Sequence, residues 1–468
     1  MRICIIAEGS YPHVAGGVST WTQSLIENMK EHEFIIYAIG AESKSRGTYK
    51  YEIPSNVVSM EEIFLDEFLN LKGVYGKKFK ISDLVKDNIK SLILGNNVDF
   101  NILFDFLQDG QVDNIMDFFM SKDIFNIIKE AYHIKYSLIP FNNFFWAVRA
   151  MIIPLFFLIK RNVPKAHIYH SVSTGYGGIM GALGNYIYNT PFILTEHGIY
   201  TREREEEIIK SNWIEGYFKD MWIKFFYNLS HCAYNKANRV ISLSEKNKHM
   251  QVEIGCPMEK IHVIPNGIDV SKFSHIPGKD TNHKHINIGA VLRLVPIKDV
   301  KTMIRAFYMV KEEIKNAKFY IMGPTDEDKE YYKECVNLVK NLNLEDLIFT
   351  GRINIKEYLG KMDILVLSSI SESQPLAILE GFACRKPFVS TDVGSCKELI
   401  YGEDHYGQAG FVVPLMNYER LSKEIIKLCK NKDLRLRMGT NGYDRVVNLY
   451  TFHKFIKEYK DLYNSFRM

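Results

Sequence analysis

The chain has 468 residues, of which 46% are hydrophobic and 24% are charged; this composition excludes bulk disorder and indicates two or three folded domains. Its 59 basic and 55 acidic residues leave a net charge of +4, which is too small to indicate a nucleic-acid partner. Seven cysteines without a CxxC pair favour neither a zinc ribbon nor a disulfide framework, so we expect a reducing, cytoplasmic location.

The amino terminus predicts a βαβ unit. Residues 1–7 form an apolar run that is too short for the hydrophobic region of a signal peptide and is typical of a buried strand. The pair Gly16 and Gly17 follows, then an amphipathic stretch over residues 18–29 and a second apolar run over residues 34–39. Continuous apolar strands that alternate with helices favour a parallel, doubly wound α/β sheet.

Between about residues 60 and 160 the alternation gives way to segments rich in Phe, Leu and Asp, which predict an inserted helical subdomain. The apolar stretch over residues 144–159 contains Arg149 and Pro154 and is shorter than the roughly 20 residues of a membrane-spanning helix. Internal packing is the simpler interpretation of this insertion. Its Phe-rich segments leave open a surface for a membrane or a partner protein.

Three further apolar runs complete the first predicted sheet. They lie at residues 166–170, 191–198 and 239–244, and a helical region near residues 211–236 precedes the last of them. Turn signals from residue 262 to residue 285 then predict a domain boundary. We therefore place the first domain at residues 1–270.

The remainder of the chain predicts a second Rossmann-like domain. Six short apolar strands separated by helices follow from residue 286, and we place this domain at residues 271–447. Residues 448–468 have only helical patterning and predict a carboxyl-terminal helix that crosses back to the first domain. Because open parallel sheets bind ligands at the carboxyl ends of their strands, we expect the functional site in a cleft between the two domains.

The most specific local signal is the segment SSISESQPLAILEGFAC at residues 368–384. Pro375 suits the first position of a helix, and Ser373 or Gln374 could cap it. The exposed N–H groups at the start of such a helix suit a diphosphate. Glu372 precedes the helix and could reach a sugar, whereas Glu380, about 7.5 Å along it, could reach a ribose diol. Alternatively, these are an ordinary loop acid and a solvated helix acid.

Two cations follow the first strand of the second domain. Arg293 offers a planar fork of donors for phosphate oxygens, and Lys298 offers a mobile point charge. Their place after a strand puts them at the same predicted sheet edge as Glu372. The alternative is a pair of surface cations on a loop. The acids at residues 326–328 resemble a metal motif, but we interpret them as the start of a helix, where acids favour the helix dipole.

Candidate residues of the first domain also follow predicted strands. Gly16 and Gly17 would let the backbone approach a phosphate or a sugar, although a glycine pair is more often a simple turn. Glu196 and His197 follow a later strand, and we expect His197 to face the site. The charge run over residues 202–205 is interpreted as a solvated face.

Together with the PNGID turn at residues 265–269, the glycine pair, the two cations and the E-x7-E segment resemble a retaining GT-B glycosyltransferase of family 4. The resemblance covers nearly the whole chain and is weakest between about residues 60 and 160. It implies two Rossmann-like domains that face a cleft. It also implies a UDP-sugar donor held mainly by the second domain and a glycan acceptor on the first.

The resemblance also implies roles for individual residues. The implied catalytic residues are His197, Arg293, Lys298 and Glu372. The implied donor-binding residues are Gly16, Gly17, Arg293, Lys298, Gly323, Arg352, Glu372, Ser373, Gln374, Pro375, Leu376 and Glu380. Gln374 and Pro375 stand where many family members have Phe-Gly, which leaves the sugar contact at Gln374 open. No metal or other cofactor is implied, because fixed cations and a helix amino terminus offset the charge on the leaving UDP.

From this resemblance we expect transfer of a hexose or N-acetylhexosamine from a UDP-sugar to a growing exopolysaccharide or another glycan. Expected partners are membrane-bound polysaccharide synthase subunits, with the protein at the inner face of the membrane. The alternatives are an inert nucleotide-sugar-binding component of such a complex, or a GT-B phosphorylase or epimerase. The paired cations and acids favour the transferase, because a pure scaffold would not need both.

Overall fold

The computed structural model describes residues 1–274, 276 and 285–467. Its described residues form two compact units. The first unit contains Met1–Ser242, Lys248–Val263 and the chain from Lys460 onward, and the second contains Leu243–Asn247 and Ile264–Tyr459. Residues 275 and 277–284, which belong to the segment in which we predicted the domain boundary, lie outside the described residues.

The first unit carries a seven-stranded parallel sheet in the order β3-β2-β1-β4-β5-β6-β7. The strands are β1 Arg2–Glu8, β2 Glu33–Gly40, β3 Val57–Phe64, β4 Ile168–Ser171, β5 Phe192–Glu196, β6 Arg239–Ser242 and β7 Ile261–Val263. The central strands are buried along their length, as the apolar runs predicted.

The same part of the chain contains ten α-helices among its described residues. They are α1 Gly17–Glu27, α2 Asp83–Leu94, α3 Phe100–Gln108, α4 Ile115–Phe119, α5 Lys122–Ala131, α6 Phe141–Ile159, α7 Tyr176–Tyr188, α8 Tyr200–Lys210, α9 Lys219–Lys236 and α10 Glu245–Glu253. Helices α2 to α5 each begin after a polar residue whose side chain accepts a backbone N–H, namely Ser82, Asp99, Asn114 and Ser121. Each such cap contributes roughly 0.5–2 kcal/mol.

Helices α2 to α6 occupy the segment that we predicted as a helical insertion. Residues 57–64 before them form strand β3, which lies at the edge of the sheet. Polar residues interrupt its apolar ones, so the strand was not predicted as an apolar run. The buried side chains of these helices share one hydrophobic cluster with the strands of the first sheet. The helices therefore share the core of that sheet, and α2 and α6 pack against α9 and α7, respectively.

Helix α6 is the one described helix that is long and apolar enough to cross a membrane. It has 19 residues, and 11 of them are buried, Phe144, Val148 and Met151 among them. These side chains belong to the core of the first unit. The contacts are those of a core helix, and the Pro154 ring occupies its interior.

The second unit carries a six-stranded parallel sheet in the order β10-β9-β8-β11-β12-β13. The strands are β8 Ile286–Val291, β9 Ala317–Met322, β10 Leu347–Gly351, β11 Ile364–Leu367, β12 Phe388–Thr391 and β13 Gly410–Val413. The helices are α11 Ser271–Ser274, α12 Val300–Glu313, α13 Lys329–Asn341, α14 Ile355–Leu359, α15 Leu376–Ala383, α16 Cys396–Tyr401, α17 Tyr418–Lys430, α18 Lys432–Leu449 and α19 Phe452–Asn464. The prediction of two Rossmann-like parallel sheets is confirmed.

The PNGID turn packs against the break between α18 and α19. The Ile268 N–H donates to the Tyr450 carbonyl at 2.9 Å, and the Phe452 N–H donates to the Ile268 carbonyl at 2.8 Å. A Cβ on Gly267 would lie 2.3 Å from the Thr451 carbonyl oxygen. Glycine is needed in this turn because two backbone segments meet there.

Candidate functional site

The centre of the candidate site in the second unit is an ion pair between Lys298 and Glu372. Lys298 Nζ lies 2.5 Å from Glu372 Oε1, and Ser369 Oγ donates to the same oxygen at 2.6 Å. The two charged side chains are only 17% and 13% exposed. Partial burial strengthens their attraction relative to a surface pair, so Glu372 holds the ammonium group in one place.

The loops that carry this pair are tied together at the carboxyl edge of the sheet. Ser368 Oγ donates to the carbonyls of Lys298 and Asp299 at 2.9 and 2.8 Å. The Ile370 N–H donates to the Ile297 carbonyl at 2.8 Å. These bonds join the loop after β11 to the loop after β8, so the pair sits on a fixed backbone.

The start of α15 differs from our prediction. The helix begins at Leu376, Pro375 is its N-cap, and no side chain among the described residues caps it. The predicted caps are engaged elsewhere: Ser373 Oγ accepts from Asn247 Nδ2 at 2.9 Å, and Gln374 Oε1 accepts from the Asn266 N–H at 2.6 Å. The first N–H groups of α15 therefore have no side-chain acceptor, and they carry the partial positive charge of a helix amino terminus.

Gly394 shapes the same loop and was missed by the sequence analysis. Its φ is +49°, and a Cβ there would lie 2.2 Å from the Glu372 carbonyl oxygen and 2.3 Å from that of Ser373. The Ser395 N–H next to it donates to the Ser373 carbonyl at 2.8 Å. The signal that could have found it is the glycine turn that directly follows the buried strand β12.

Glu380 lies on α15, four residues after the helix begins at Leu376. Burial raises the pKa of its carboxyl to about 7, and Lys356 opposes part of this shift. A carboxyl group with this pKa changes charge near neutral pH. It offers the acceptor oxygens that a ribose diol would need, and ribose binding stays a prediction.

The two arginines of the predicted donor site pair with other acids. Arg293 is 60% exposed and contacts Glu327 at 2.9 Å, and Arg352 is 73% exposed and lies 3.6 Å from Asp326. Asp328 caps α13, as expected for an acid at a helix start. The other two acids of this segment instead neutralise both arginines.

Gly323 determines the path of the chain near Arg293. Its φ is +149°, and a Cβ there would lie 1.8 Å from the Leu292 carbonyl oxygen. The Leu292 N–H donates to the Met322 carbonyl at 3.0 Å, and the Gly323 N–H donates to the Gly351 carbonyl at 3.2 Å. Glycine at this position lets the loops after β8 and β9 come together.

In the first unit, the loop that carries His197 is anchored by Glu196. This buried carboxylate accepts four hydrogen bonds. The donors are Thr174 Oγ1 at 2.9 Å, the Tyr200 N–H at 3.1 Å, Tyr234 Oη at 2.7 Å and Gln251 Nε2 at 2.8 Å. A fully bonded carboxylate fixes the backbone directly before His197.

The His197 ring packs edge-on against Trp21 at 4.7 Å. Its Nε2 is inaccessible and has no hydrogen-bond partner among the described residues. Burial lowers the pKa of His197 to about 4, so the ring is neutral at physiological pH. A neutral imidazole can exchange a hydrogen bond with a hydroxyl without introducing charge.

His170 is a buried neighbour that the sequence analysis did not select. Its Nδ1 lies 2.6 Å from Tyr463 Oη and its Nε2 lies 2.8 Å from Thr195 Oγ1. Burial and the nearby His197 lower its pKa to about 3. Tyr463 belongs to α19 and His170 belongs to β4, so this hydrogen bond connects the last turns of α19 to the first sheet.

Gly16 and Gly17 open α1. No atom of the described residues lies within 4 Å of a Cβ built at either glycine. No packing contact therefore requires glycine here, and the open space at the helix start is compatible with the predicted approach of a ligand.

The charge run after His197 is only partly a solvated face. Glu203 lies against Gly198, whose built Cβ would be 2.0 Å from Glu203 Oε1. Arg204 lies over the Tyr200 ring at 5.3 Å. Arg204 and Glu205 are half-buried, whereas Arg202 and Glu203 are exposed, because α8 packs along α9 and covers one side of the run.

The described residues contain no group of three or more His, Cys, Asp or Glu side chains arranged to hold a metal ion. The polar groups of the site in the second unit are the Lys298 ammonium group, the backbone N–H groups at the start of α15 and the Glu372 carboxylate, which already pairs with Lys298. These groups suit an anion.

Residues 1–259 match the family described as "Domain of unknown function (DUF3492)", and residues 272–445 match the family described as "Glycosyl transferases group 1". The chain is 27% identical over 327 residues to UDP-Gal:alpha-D-GlcNAc-diphosphoundecaprenol alpha-1,3-galactosyltransferase of Escherichia coli, covering 67% of this chain and 78% of that protein. It is 25% identical over 237 residues to N-acetyl-alpha-D-glucosaminyl L-malate synthase of Bacillus anthracis, covering 50% of this chain and 58% of that protein.

Solved structures share the fold at low sequence identity. Sucrose-phosphate synthase from Thermosynechococcus elongatus has a TM-score of 0.62 and 15% identity, over 99% of this chain and 98% of that chain. HepE of Anabaena in complex with UDP has a TM-score of 0.62 and 14% identity, over 99% and 100%. The chain therefore belongs to the DUF3492 family and, with its glycosyl transferases group 1 domain, is a glycosyltransferase with the GT-B fold.

Proposed function

We propose that the protein transfers a hexose or N-acetylhexosamine from a UDP-sugar to a growing exopolysaccharide or another glycan, with retention of the anomeric configuration and without a metal ion. The observation that carries the proposal is the Lys298–Glu372 pair beside the uncapped start of α15. In support, HepE has been solved with UDP-glucose, and the E. coli relative is named a galactosyltransferase that uses UDP-Gal.

The donor diphosphate would lie at the start of α15. Backbone N–H groups there and the ammonium group of Lys298 would offset the negative charge that grows on UDP as the bond from the anomeric carbon to the phosphate oxygen breaks. Glu372 uses Oε1 for Lys298 and Ser369. Its Oε2 would accept a hydrogen bond from a hydroxyl of the donor sugar. Arg293 and Arg352 would join the diphosphate by exchanging their carboxylate partners for phosphate oxygens.

The remaining predicted residues have supporting roles. Glu380 would bind the ribose hydroxyls, and the backbone of residues 373–376 and of Gly323 would line the nucleotide. For His197 we propose a hydrogen bond to a hydroxyl of the transferred sugar, and for Gly16 and Gly17 a close backbone approach to the phosphates.

Retention would follow from attack on the face that UDP leaves. The acceptor oxygen bonds to the anomeric carbon as the sugar–phosphate bond breaks, and the hydroxyl proton passes to the departing phosphate oxygen. This reaction needs no protein nucleophile. The contribution of this chain is to position the phosphate and to stabilise its charge.

We further propose a place in exopolysaccharide synthesis, in the cytoplasm at the inner face of the membrane, with synthase subunits as partners. The segments AEGSYPHVAGGVSTW, HSVSTGYGGIMGAL and LTEHGIYTREREEEI resemble PelF, a transferase associated with Pel exopolysaccharide. A relative from Staphylococcus aureus that is 23% identical is named for capsular polysaccharide biosynthesis. All seven cysteines are free, which suits a reducing compartment.

UDP release by the purified protein, measured over a panel of UDP- and GDP-sugars with and without EDTA, tests the proposal. We expect release from one UDP-sugar that EDTA leaves unchanged. Lys298→Ala and Glu372→Ala should each reduce it roughly 100- to 1,000-fold. Lys301→Ala is the matched control, because Lys301 forms an exposed pair with Glu334 on α12 and α13.

Tight UDP binding without release from any donor, even with oligosaccharide acceptors present, would favour the inert nucleotide-sugar-binding component. Release that requires inorganic phosphate instead of a glycan would favour a phosphorylase. Product anomeric configuration, read from proton NMR coupling constants, decides between retention and inversion.

A further inference from the structure

Helices α4, α5 and α6 of the first unit leave an apolar groove open to solvent. Its volume is about 660 Å³, and its wall is far more apolar than polar. It is lined by Tyr75, Met116, Phe119, Met120, Ser121, Lys122, Phe125, Asn126, Phe145, Trp146 and Arg149. None of these residues belongs to the candidate donor site.

Large side chains around the groove are exposed to solvent. Trp146 is 53% exposed, Phe125 43% and Tyr75 74%. Single exposed apolar residues are common on proteins, but several around one apolar cavity form a patch that marks an interaction surface. The Phe145 ring contacts both Trp146 and Phe119, at 5.8 and 5.5 Å. The exposed rim and the inner wall are thus continuous.

The loop over residues 71–80 is fastened beside this groove. Asp117 Oδ1 accepts from the Val74 N–H at 2.7 Å, and Asn114 Nδ2 donates to the Lys72 carbonyl at 2.8 Å. A Cβ on Gly73 would lie 2.7 Å from Met120 Sδ. These contacts hold the tip of the loop, where Tyr75 lies, at the mouth of the groove.

The loop beside the groove is basic, although Asp117 and Asp123 on the neighbouring helices accept hydrogen bonds from it. The loop over residues 71–80 contains four lysines and no acid, and Lys122 and Arg149 line the groove itself. Lys77 pairs with Asp117 at 3.3 Å. The other five cations, which are Lys72, Lys78, Lys80, Lys122 and Arg149, have no ion pair within the described residues. Cations beside an apolar aromatic rim match the anionic headgroups and acyl chains of a lipid surface.

We propose that this groove and its basic loop dock the protein on an anionic membrane surface, with lipid acyl chains in contact with the groove. Trp146 and Tyr75 occupy the interface, where amphipathic aromatic rings are favoured. The five unpaired cations attract anionic headgroups and make binding dependent on salt. The inference does not depend on which sugar the enzyme transfers.

Co-sedimentation of the full chain with vesicles tests the proposal. We expect binding to phosphatidylcholine–phosphatidylglycerol vesicles, little binding to phosphatidylcholine alone, and release at high salt. Lys78→Glu with Lys80→Glu should weaken binding at least about tenfold. Lys333→Glu with Lys340→Glu is the matched control, because these lysines are exposed on α13 in the second unit. Equal binding to neutral vesicles, or an equal loss in both double variants, would overturn the proposal.

Tryptophan fluorescence gives a second readout that does not depend on charge. Acyl chains brominated near the headgroup should quench the protein's emission, and Trp146→Phe should remove most of this quenching. Trp213→Phe should leave the quenching in place, although Trp213 is 68% exposed. Quenching that persists in Trp146→Phe would overturn the proposal. Self-association that Trp146→Ala abolishes, without vesicle binding, would assign the groove to a second copy of the chain and would also overturn it.

Discussion

Lys298 and Glu372 are 74 residues apart in the sequence, and their side chains meet at 2.5 Å at the carboxyl edge of the second sheet. Because both are largely buried, each limits the positions that the other can adopt. Ser369 bonds the same carboxylate oxygen. The cation that would receive the donor diphosphate is therefore positioned before any ligand arrives, which reduces the reorganisation needed for catalysis.

The strength of this pair is measurable by a double-mutant cycle with Lys298→Met and Glu372→Gln. We expect a coupling free energy of roughly 1.5–3 kcal/mol, the range for hydrogen bonds to charged groups. Chemical denaturation of the four proteins measures it. The same cycle on Lys301 and Glu334, which are an exposed pair, should give no more than about 1 kcal/mol. Equal coupling in both cycles would show that partial burial does not strengthen the Lys298–Glu372 pair.

Glu380 should make the stability of the protein depend on pH. Burial raises its pKa from 4.5 to about 7 in the folded protein. Over that interval the folded state holds a proton that the unfolded state has lost, so the free energy of unfolding should fall as pH rises, by roughly 3 kcal/mol in total.

Urea denaturation at about pH 5 and about pH 8 tests this. Glu380→Gln cannot ionise and should remove most of the difference between the two pH values. If the wild type and Glu380→Gln change equally with pH, another group is responsible. The affinity for UDP, measured by calorimetry, should also change through about pH 7 in the wild type only.

His197 should stay neutral well below its ordinary titration range. Burial lowers its pKa from 6.5 to about 4. The neutral ring stabilises the folded state above about pH 6.5, and this contribution is lost as the pH falls towards about 4. The imidazole C–H resonance, assigned by comparison with His197→Gln, should not shift between about pH 8 and about pH 5.5. A midpoint near 6.5 would show that the ring is solvated.

The role of His197 as a hydrogen-bonding group is tested by two substitutions. His197→Ala should reduce sugar transfer by roughly 2- to 10-fold, the effect of one lost neutral hydrogen bond of about 0.5–1.5 kcal/mol. His197→Gln retains a polar group and should recover part of the loss. Equal activity of the two variants would indicate that the ring only fills space beside Trp21.

Gly394→Ala should destabilise the loop that carries Glu372. The new Cβ would meet the Glu372 carbonyl oxygen at 2.2 Å, in addition to the strain of a φ of +49°. Gly110→Ala is a matched control, because Gly110 has a φ of +85° and no described atom lies within 4 Å of its Cβ position.

Backbone strain alone costs about 1–2 kcal/mol, so Gly110→Ala should lose that much stability and retain its activity. Gly394→Ala should lose more stability and also lose UDP release, because the clash displaces residues 372–373. Thermal unfolding and the UDP-release assay on both variants make the comparison. Full activity in Gly394→Ala would mean that the loop tolerates the displacement.

The sequence by itself determined the two parallel sheets and most of their strands. Buried strands such as β11 are continuous apolar runs, and helices such as α12 have apolar residues at helical spacing. These signals depend on neighbours in the chain, so a short window of sequence contains them. Strands β3 and β7 lie at the two edges of the first sheet, where partial exposure weakens the same signal.

The sequence also selected Lys298, Glu372 and His197, whereas only the tertiary structure decided what these residues contact. Asn247 and Asn266 engage Ser373 and Gln374, which leaves α15 without a side-chain cap. The pKa of Glu380, the acid partners of Arg293 and the clash at Gly394 likewise depend on residues distant in the chain. Burial and charge proximity are properties of the folded chain, because they arise when remote segments displace water from one another.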